Sequence, residues 1–513
     1  MRASFDALDR RSFDLAIVGG GATGAFVAWD ASLRGLSVAL LEKEDFCSAT
    51  SFANSRLIHG GLRYLRQGQF GVVRASLAER RYWLSAAPHL VRPLPFLIPV
   101  ANLRRRLTYR FGLTLYGWLG GRSDLPPDRA LDPAEIQRNR PLLAPLAGAG
   151  ALLYHDAQMA YPERLVLAAL QGAVERGAQV MNYCRAEAIS RSGKTGYALE
   201  FLDRDSGRNG HLLADKVINA TGPWADQLEL PGRKLGLKLV RSSGIHLVTR
   251  ALAGPEALAI EHAGRHFFVI PWEGHSLIGT TDLPFDGDPD DYRVESSSVD
   301  TLLDRVNDAL PGISLSRADV LYAYGGMRPL LEHADGGGTY RASRRSEILE
   351  HDRGLFSAVG GKWTTSRRLA EKAVDRCCNV RGTSRHVPLP GADPLPGSVP
   401  EALPHLPAGT AAHLLKLYGN RARLLVNADE SPELLKACRP LIRAQARYAA
   451  QYEGARHLSD VLFRRTGVGY FDRVPDSTLQ ALAEAMGPVL GWSRETIDAE
   501  IAHIVSHYAG AVP

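Results

Sequence analysis

The chain has 513 residues, of which 45% are hydrophobic and 50 are glycine, and it carries a formal net charge of +6. At ~100–200 residues per domain such a length makes roughly two to four domains, and the apolar fraction excludes a disordered or fibrous chain. So small a positive surplus excludes a nucleic-acid signature and suits an anionic substrate, an anionic cofactor or an anionic lipid surface.

The first apolar run, residues 15–18, reads as a short buried strand. A glycine cluster follows, then a helix over 25–33 stopped by Arg34-Gly35, then a second strand over 37–41. This β-α-β unit opens a parallel sheet. Within the cluster Gly19-Gly20-Gly21-Ala22-Thr23-Gly24, the residues Gly19, Gly21 and Gly24 form G-x-G-x-x-G. The first glycine permits the tight turn, the second a close backbone approach to a pyrophosphate, and the third close packing of helix on strand. Free N–H groups at the helix start favour the phosphates, and Glu42 ends the second strand where an acid accepts from ribose hydroxyls. An acid there disfavours a 2′-phosphate and leaves NAD and FAD. The small polar run Thr50-Ser51-Phe52-Ala53-Asn54-Ser55 and the block Leu57-Ile58-His59-Gly60-Gly61-Leu62-Arg63-Tyr64 read as a loop beneath an extended cofactor, which favours FAD.

Further along, a helix is expected over 77–87, a proline-punctuated extended segment over 88–99, and an amphipathic helix from Tyr161-Pro162 to near Gly177. Between them, Leu103-Arg104-Arg105-Arg106-Leu107-Thr108-Tyr109-Arg110-Phe111 runs into Leu113, Leu115, Tyr116 and Trp118. Clustered arginines followed by large apolar groups fit a helix lying in a membrane interface; the alternative is a core helix with a solvated basic face. The most apolar stretch, near 142–154, is broken by Pro145 and falls short of the ~20 residues of a membrane span. Charges from Arg2 to Arg11 leave no signal-peptide pattern. Strands are expected over 178–181, 198–202 and 212–219, the last running into Asn219-Ala220-Thr221-Gly222. Another, over 356–359, runs into Gly360-Gly361-Lys362-Trp363-Thr364-Thr365 and a helix over 367–373. Residues 388–409 read as a Pro/Gly-rich linker, and helical patterns follow over 411–417, 437–452 and 477–490.

Arg63, Arg328 and Lys362 sit beside glycine motifs, in loops rather than on helix faces, and suggest an anion site; arginine forks suit phosphate or carboxylate. His59 and His246 fall in such segments too. The five cysteines, Cys47, Cys184, Cys377, Cys378 and Cys438, include no C-x-x-C pair, so neither a metal site nor a redox pair is expected, and a reducing compartment is.

Together these blocks resemble the FAD-dependent, quinone-linked glycerol-3-phosphate dehydrogenases over nearly the whole chain. The resemblance rests on the N-terminal glycines, His59-Gly60-Gly61-Leu62-Arg63-Tyr64, Asn219-Ala220-Thr221-Gly222-Pro223-Trp224 and Ile278-Gly279-Thr280-Thr281-Asp282. It extends through Tyr324-Gly325-Gly326-Met327-Arg328-Pro329-Leu330, Gly360-Gly361-Lys362 and Asp460-Val461-Leu462-Phe463-Arg464-Arg465-Thr466. It implies an α/β fold: a Rossmann-like FAD domain of the glucose-oxidase or D-amino-acid-oxidase type, an antiparallel-sheet substrate domain, and a helical C-terminal domain. The expected boundaries are 1–387 with inserted substrate segments at about 75–150 and 225–330, a linker at 388–409, and helices from 410 to 513. Cofactor contacts are expected from Gly19, Gly21, Ala22, Thr23, Gly24, Glu42, Lys43, Thr50, Asn54, Arg56, Leu57, Ala186, Ala220, Gly222, Gly361, Lys362, Trp363 and Thr364. Arg63, Tyr64, His246, Arg328 and Lys362 are expected around the substrate, with Arg63, Arg328 and Arg344 on its phosphate and His246 or His59 as base. Arg56 replaces the family's usual lysine and Trp363 a smaller aliphatic residue. The implied partners are a phosphorylated polyol, a quinone, a membrane surface and a second copy of the chain, with no nucleic acid; the implied location is the cytoplasmic face of the inner membrane, or the cytoplasm. A dehydrogenase of another polyol phosphate, an oxygen-using oxidase and a non-catalytic flavin-binding module stay open.

Overall fold

The computed structural model describes all residues except 122–124, 232, 253, 332–345, 380, 395–400, 402, 427–432 and 513. Leu15, Ala16, Ile17 and Val18 are all apolar, which fits a strand covered on both faces, and Ser12–Val18 (β1) lies inside an eight-stranded sheet. Leu15 and Ile17 point into a core built on the helix Ala22–Leu33 (α1). Ala16 and Val18 point into a second core under the hairpin Cys184–Ser192/Gly196–Asp203. Val38–Leu41 and Arg208–Asn219 flank β1 in parallel, and Gln179–Met181 and Leu355–Gly360 extend the parallel run outward. Helices Pro162–Val174 and Ser366–Cys378 bury their apolar faces against α1. This is the crossover architecture predicted from the 15–41 pattern. It leaves the carboxyl ends of the parallel strands facing one crevice, where ligands bind in such sheets.

A second, ten-stranded sheet takes strands from 57–159 and from 239–331. Its pairings are antiparallel except where Ala257–His262 runs beside Val91–Pro99. The long strand Leu239–Arg250 is its spine, paired with Val320–Leu331 on one side and with His275–Gly279 and Leu283–Phe285 on the other. That register puts Ser242 opposite Arg328, and His246 opposite both Tyr324 and Gly279.

The C-terminal helices Ala408–Tyr418, Arg443–Tyr452, Asp476–Leu490 and Arg494–Ala509 share one apolar core with the second sheet, in which Trp272 meets Tyr470 and Phe471. The helix expected from 437 begins instead at Arg443, because Pro440 lacks an N–H and biases the residue before it to an extended conformation. Leu389, within the proline-rich segment, is buried and donates its N–H to Ala86. All five cysteines are free. Among the described residues no helix is long and apolar enough to cross a membrane.

Asp45, three residues past Glu42, is fully enclosed where the first sheet meets the C-terminal region. It accepts from Arg464 Nε at 2.5 Å, from Arg465 Nη2 at 2.9 Å and from Asn182 Nδ2 at 2.8 Å. The two guanidinium groups hold its carboxyl below the ordinary value of 3.8, against the opposing effect of burial. Removing one partner of such a set strands buried charge, at about 3–5 kcal/mol. Asp45→Asn should therefore lower unfolding stability at pH 7 by about that amount. A folded-state value below the unfolded one means this contribution is present above the unfolded value and lost as pH falls through the folded one. The deficit of the variant, followed by denaturant titration from pH 7 downward, should shrink below about pH 4.

Candidate functional site

The chain leaves β1 through Gly19, whose φ of +108° belongs to glycine, and passes so close to the next element that a Cβ there would lie 2.6 Å from the Ala220 carbonyl oxygen. Gly24, on the first turn of α1, packs directly under the carbonyl of Gly19, with no room for a side chain. Strand and helix thus cross at backbone contact, and the helix N-terminus with its positive dipole end opens onto the crevice. The sequence did not single out Ser51, whose Oγ accepts the Ala22 N–H at 2.8 Å and whose carbonyl accepts Trp363 Nε1 at 3.1 Å. An ordinary-looking loop serine carries no sequence mark of such a role.

Glu42 turns its carboxylate onto the turn: Oε2 accepts the Gly20 N–H at 2.6 Å and Oε1 the Glu44 N–H at 2.9 Å. Burial outweighs both donors and raises the carboxyl to about 7, while one edge of the residue still faces the cavity. Lys43 reaches across to Asp290 at 2.5 Å and lies 4.1 Å from the ring of Trp224, whose Nε1 donates to the same carboxylate.

The cavity opening from this turn has a volume of about 2690 Å³. That is several times the ~300–1,000 Å³ of a pocket for one small ligand. Gly19, Gly21, Ala22, Thr23, Glu42, Lys43, Thr50, Asn54, Leu57, Ala186, Ala220, Gly222, Gly361, Lys362, Trp363 and Thr364 line it. Its other wall, from the second sheet and the loop after Ile58, carries His59, Arg63, Tyr64, His246 and Arg328. Gly24 lies beneath the wall, where its role is packing. Arg56 is not brought to the cavity: it is fully buried, paired with Glu163 at 3.0 Å and stacked 4.0 Å from the ring of Trp272. The residue before the strand Leu57–Ile58 is turned inward, which its sequence neighbours could not show. Arg344 lies outside the described residues. The sequence also missed Arg456 and His457, from the loop after the helix Arg443–Tyr452, and Glu500, from the helix Arg494–Ala509, all of which line the same cavity.

Arg328 is held as a fork. Nη1 donates to Ser242 Oγ at 3.2 Å and Nη2 to Thr280 Oγ1 at 2.8 Å and to the Thr281 carbonyl at 3.1 Å, with Asp282 at 3.8 Å. Gly244 makes room for it, since a Cβ there would strike Nη2. Lys362 leaves the Gly360-Gly361 turn and places Nζ 3.8 Å from the ring of Tyr64 and 3.1 Å from Ser76 Oγ. His59 donates its backbone N–H to Thr364 Oγ1 at 3.3 Å, and its ring meets the edge of Phe268. Trp363 packs beside Phe26 and Trp83.

His246 is buried, stacked on Tyr324 with ring centres 5.2 Å apart, and hydrogen-bonded through Nε2 to Ser55 Oγ at 2.8 Å. Burial first, and then the charges of Arg328 and Arg56, push it down to about 3. Its sequence-based role rested on an imidazole titrating near neutral pH; here the ring stays neutral throughout that range.

The cradle fits FAD on three counts: backbone approaches only glycine permits, a helix N-terminus whose positive dipole end faces the cavity, and a cavity large enough for an extended dinucleotide. A glycine-turn α/β sheet joined to a mixed sheet around one such cavity defines a flavin-dependent oxidoreductase. The comparisons agree. Residues 14–376 match the FAD dependent oxidoreductase family model, and 359–497 match the C-terminal domain of alpha-glycerophosphate oxidase. The chain is 34% identical to a glycerol-3-phosphate dehydrogenase of Synechocystis sp., covering 97% of this chain and 96% of that protein. It is 33% identical to one of Mycobacterium leprae, covering 98% and 88%. The solved glycerol-3-phosphate dehydrogenase of Bacillus halodurans complexed with FAD superposes with a TM-score of 0.77 at 26% identity, covering 99% of this chain and 96% of that one. The chain belongs to the FAD-dependent glycerol-3-phosphate dehydrogenase family, and its cofactor is FAD.

Two outcomes follow from this geometry. Gly24→Ala should fold around a displaced turn and lose flavin, read as absorbance near the flavin bands per chain; full loading would contradict the contact with Gly19. In protein with labelled histidine, His246 should keep the nitrogen shifts of a neutral ring from pH 8 to pH 5, whereas a midpoint near 6.5 would contradict the burial argument.

Proposed function

We propose that this protein oxidises sn-glycerol 3-phosphate to dihydroxyacetone phosphate and passes the electrons to a membrane quinone. The observation that carries the reading is one cavity lined by the glycine cradle with Lys362 beside it and, on its other wall, by the cations Arg63 and Arg328 beside a neutral imidazole. Relatives named glycerol-3-phosphate dehydrogenase over nearly the full chain support the substrate. FAD, when bound, supplies the two-electron acceptor for the hydride of the secondary carbinol.

The chain's own residues do the rest. Arg328, rigid in its fork, and Arg63 bind the phosphate; guanidinium donors match phosphate oxygens two at a time. Lys362, fixed on Tyr64 and Ser76, holds positive charge beside the Gly360-Gly361 turn. His246, whose neutral ring lines the cavity and is held through Nε2 by Ser55 Oγ, takes the hydroxyl proton. A base as weak as about 3 cannot deprotonate a resting alcohol. It accepts the proton only as the hydride departs, when the hydroxyl of the forming ketone becomes strongly acidic. The two transfers are thereby tied together.

The membrane part rests on the helix Leu103–Gly120. Leu113 and Tyr116 turn inward, but Leu103, Leu107, Phe111 and Trp118 are exposed, Trp118 by 77%. Arg104 and Arg105 are exposed beside them, while Arg106 is tied to the Ala149 carbonyl at 2.9 Å. Outward apolar groups flanked by arginines suit an anionic bilayer surface.

Anaerobic addition of sn-glycerol 3-phosphate should bleach the flavin; an unchanged spectrum would exclude the activity, and bleaching only by another polyol phosphate would move the substrate. Arg328→Ala should raise KM for the phosphorylated substrate by on the order of tenfold or more, since a charged hydrogen bond contributes roughly 1.5–3 kcal/mol, and leave the dephosphorylated polyol almost unaffected. Arg104→Glu combined with Arg105→Glu should release the protein from anionic vesicles while turnover with a soluble dye persists. Unaltered sedimentation with vesicles would show that this helix is not the anchor.

A further inference from the structure

We propose that Tyr116 is a positioning residue that fixes the Gly60-Gly61 turn and, through it, the place of Arg63 and Tyr64 at the substrate. The inference rests on the reading of the cavity as the glycerol 3-phosphate site. Gly60 and Gly61 together give that turn little stiffness of its own; Gly61 sits at φ +82°, and glycine has the widest range of backbone conformations. Something else must hold the loop, and the structure shows what does. The Gly60 N–H donates to Tyr116 Oη at 2.7 Å, in a fully buried contact. The approach is so close that a Cβ on Gly60 would collide with that hydroxyl and with Leu77.

The hydroxyl is itself fixed. It donates to Asp156 Oδ2 at 2.7 Å, and Asp156 is ion-paired to the buried Arg80. Burial beside the Asp156 charge keeps the phenol protonated, so it can donate to Asp156 while accepting from Gly60. Beyond the turn, the Tyr64 N–H closes onto the Gly61 carbonyl at 3.0 Å, and the Tyr64 ring carries Lys362 Nζ at 3.8 Å. Arg80, Asp156, Tyr116 and Gly60 therefore form one continuous chain of polar contacts, and the next residue, Gly61, passes it through its carbonyl to Tyr64, whose ring meets Lys362. Tyr116 itself stands behind the loop, on the helix Leu103–Gly120.

Its ring also packs with Tyr64, Val73 and Leu77, a contact that Tyr116→Phe preserves while deleting the hydroxyl. The test uses the flavin-loaded variant. Per bound flavin, KM for sn-glycerol 3-phosphate should rise about tenfold with kcat changed far less, because the loop places groups that bind the substrate equally before and during reaction. Amide hydrogen exchange of the peptide covering 59–64 should quicken by about tenfold, the loss of one hydrogen bond, with the rest of the chain unchanged. Unaltered KM per flavin together with unaltered exchange would overturn the proposal. If the phenylalanine variant does not retain flavin, Asp156→Asn serves. It keeps an oxygen for the Tyr116 hydroxyl but loses the Arg80 pair, and faster exchange confined to 59–64 supports the proposal whereas unchanged exchange overturns it. The exchange measurement needs no substrate. If wild-type protein fails to turn over glycerol 3-phosphate, that reading falls while the exchange still decides whether Tyr116 holds the loop.

Discussion

The carboxylate of Asp45 is where the parts of this molecule are locked together. It closes the loop after the second parallel strand, holds Asn182 at the end of a neighbouring strand, and receives both Arg464 and Arg465 from the π-turn Asp460–Arg465. Asp460 in turn accepts from the Tyr183 hydroxyl at 2.8 Å. Buried ion pairs give little net stability against an apolar alternative, but breaking one is costly. Such a lock makes any other docking of the C-terminal region costly, because it would leave these buried charges unpaired. The docked position matters for the site, since Asp45 lies three residues from Glu42, and Tyr183 and His457, edge to face, share the cavity that Glu42 borders.

The same physics is used twice more with opposite results. Arg56 is buried with its counterion: Glu163 and the faces of Trp272 and Tyr470 keep it charged, and it serves structure. His246, which does line the cavity, has no anionic partner among the described residues and feels two guanidinium groups. Burial and those charges leave it neutral. A positive wall with one neutral acceptor in it suits an anionic alcohol: the anion is attracted, and the acceptor is not already occupied by a proton. Had His246 been given the carboxylate that Arg56 has, it would hold a proton at neutral pH and could not take another.

Much of this was legible in the sequence, for identifiable reasons. The β1–α1 crossing was readable because close backbone approach admits only glycine, and glycine is visible at Gly19, Gly21 and Gly24. The turns at Gly222 and Gly361 were visible by the same rule, and the loop from Thr50 to Tyr64 by its run of small polar residues. Arg56 was not: a basic residue between two cavity residues, Asn54 and Leu57, looks like a third, and only the tertiary partner Glu163 reverses the reading. Within that loop nothing marked Ser51 from its neighbours as the acceptor for Ala22, and the C-terminal contributors Arg456, His457 and Glu500 left no signal because they reach the cavity from hundreds of positions away. The value at which His246 titrates was likewise beyond composition, since it is set by burial depth and by the charges of Arg328 and Arg56 around it.

The helix Leu103–Gly120 shows how one element can serve surface and site at once. Its inner face is fastened mainly by polar contacts: Tyr116 on Asp156 and Gly60, Tyr109 on Glu261 at 2.8 Å, and Arg106 on the Ala149 carbonyl. Only Leu113, Tyr116 and Gly120 are buried along its eighteen residues. Apolar burial scales with area and tolerates sliding, whereas hydrogen bonds are directional and are lost within a few tenths of an ångström. A helix held this way keeps a precise position without being a large part of the core. Its side chains Leu103, Leu107, Phe111 and Trp118 remain exposed on the other side.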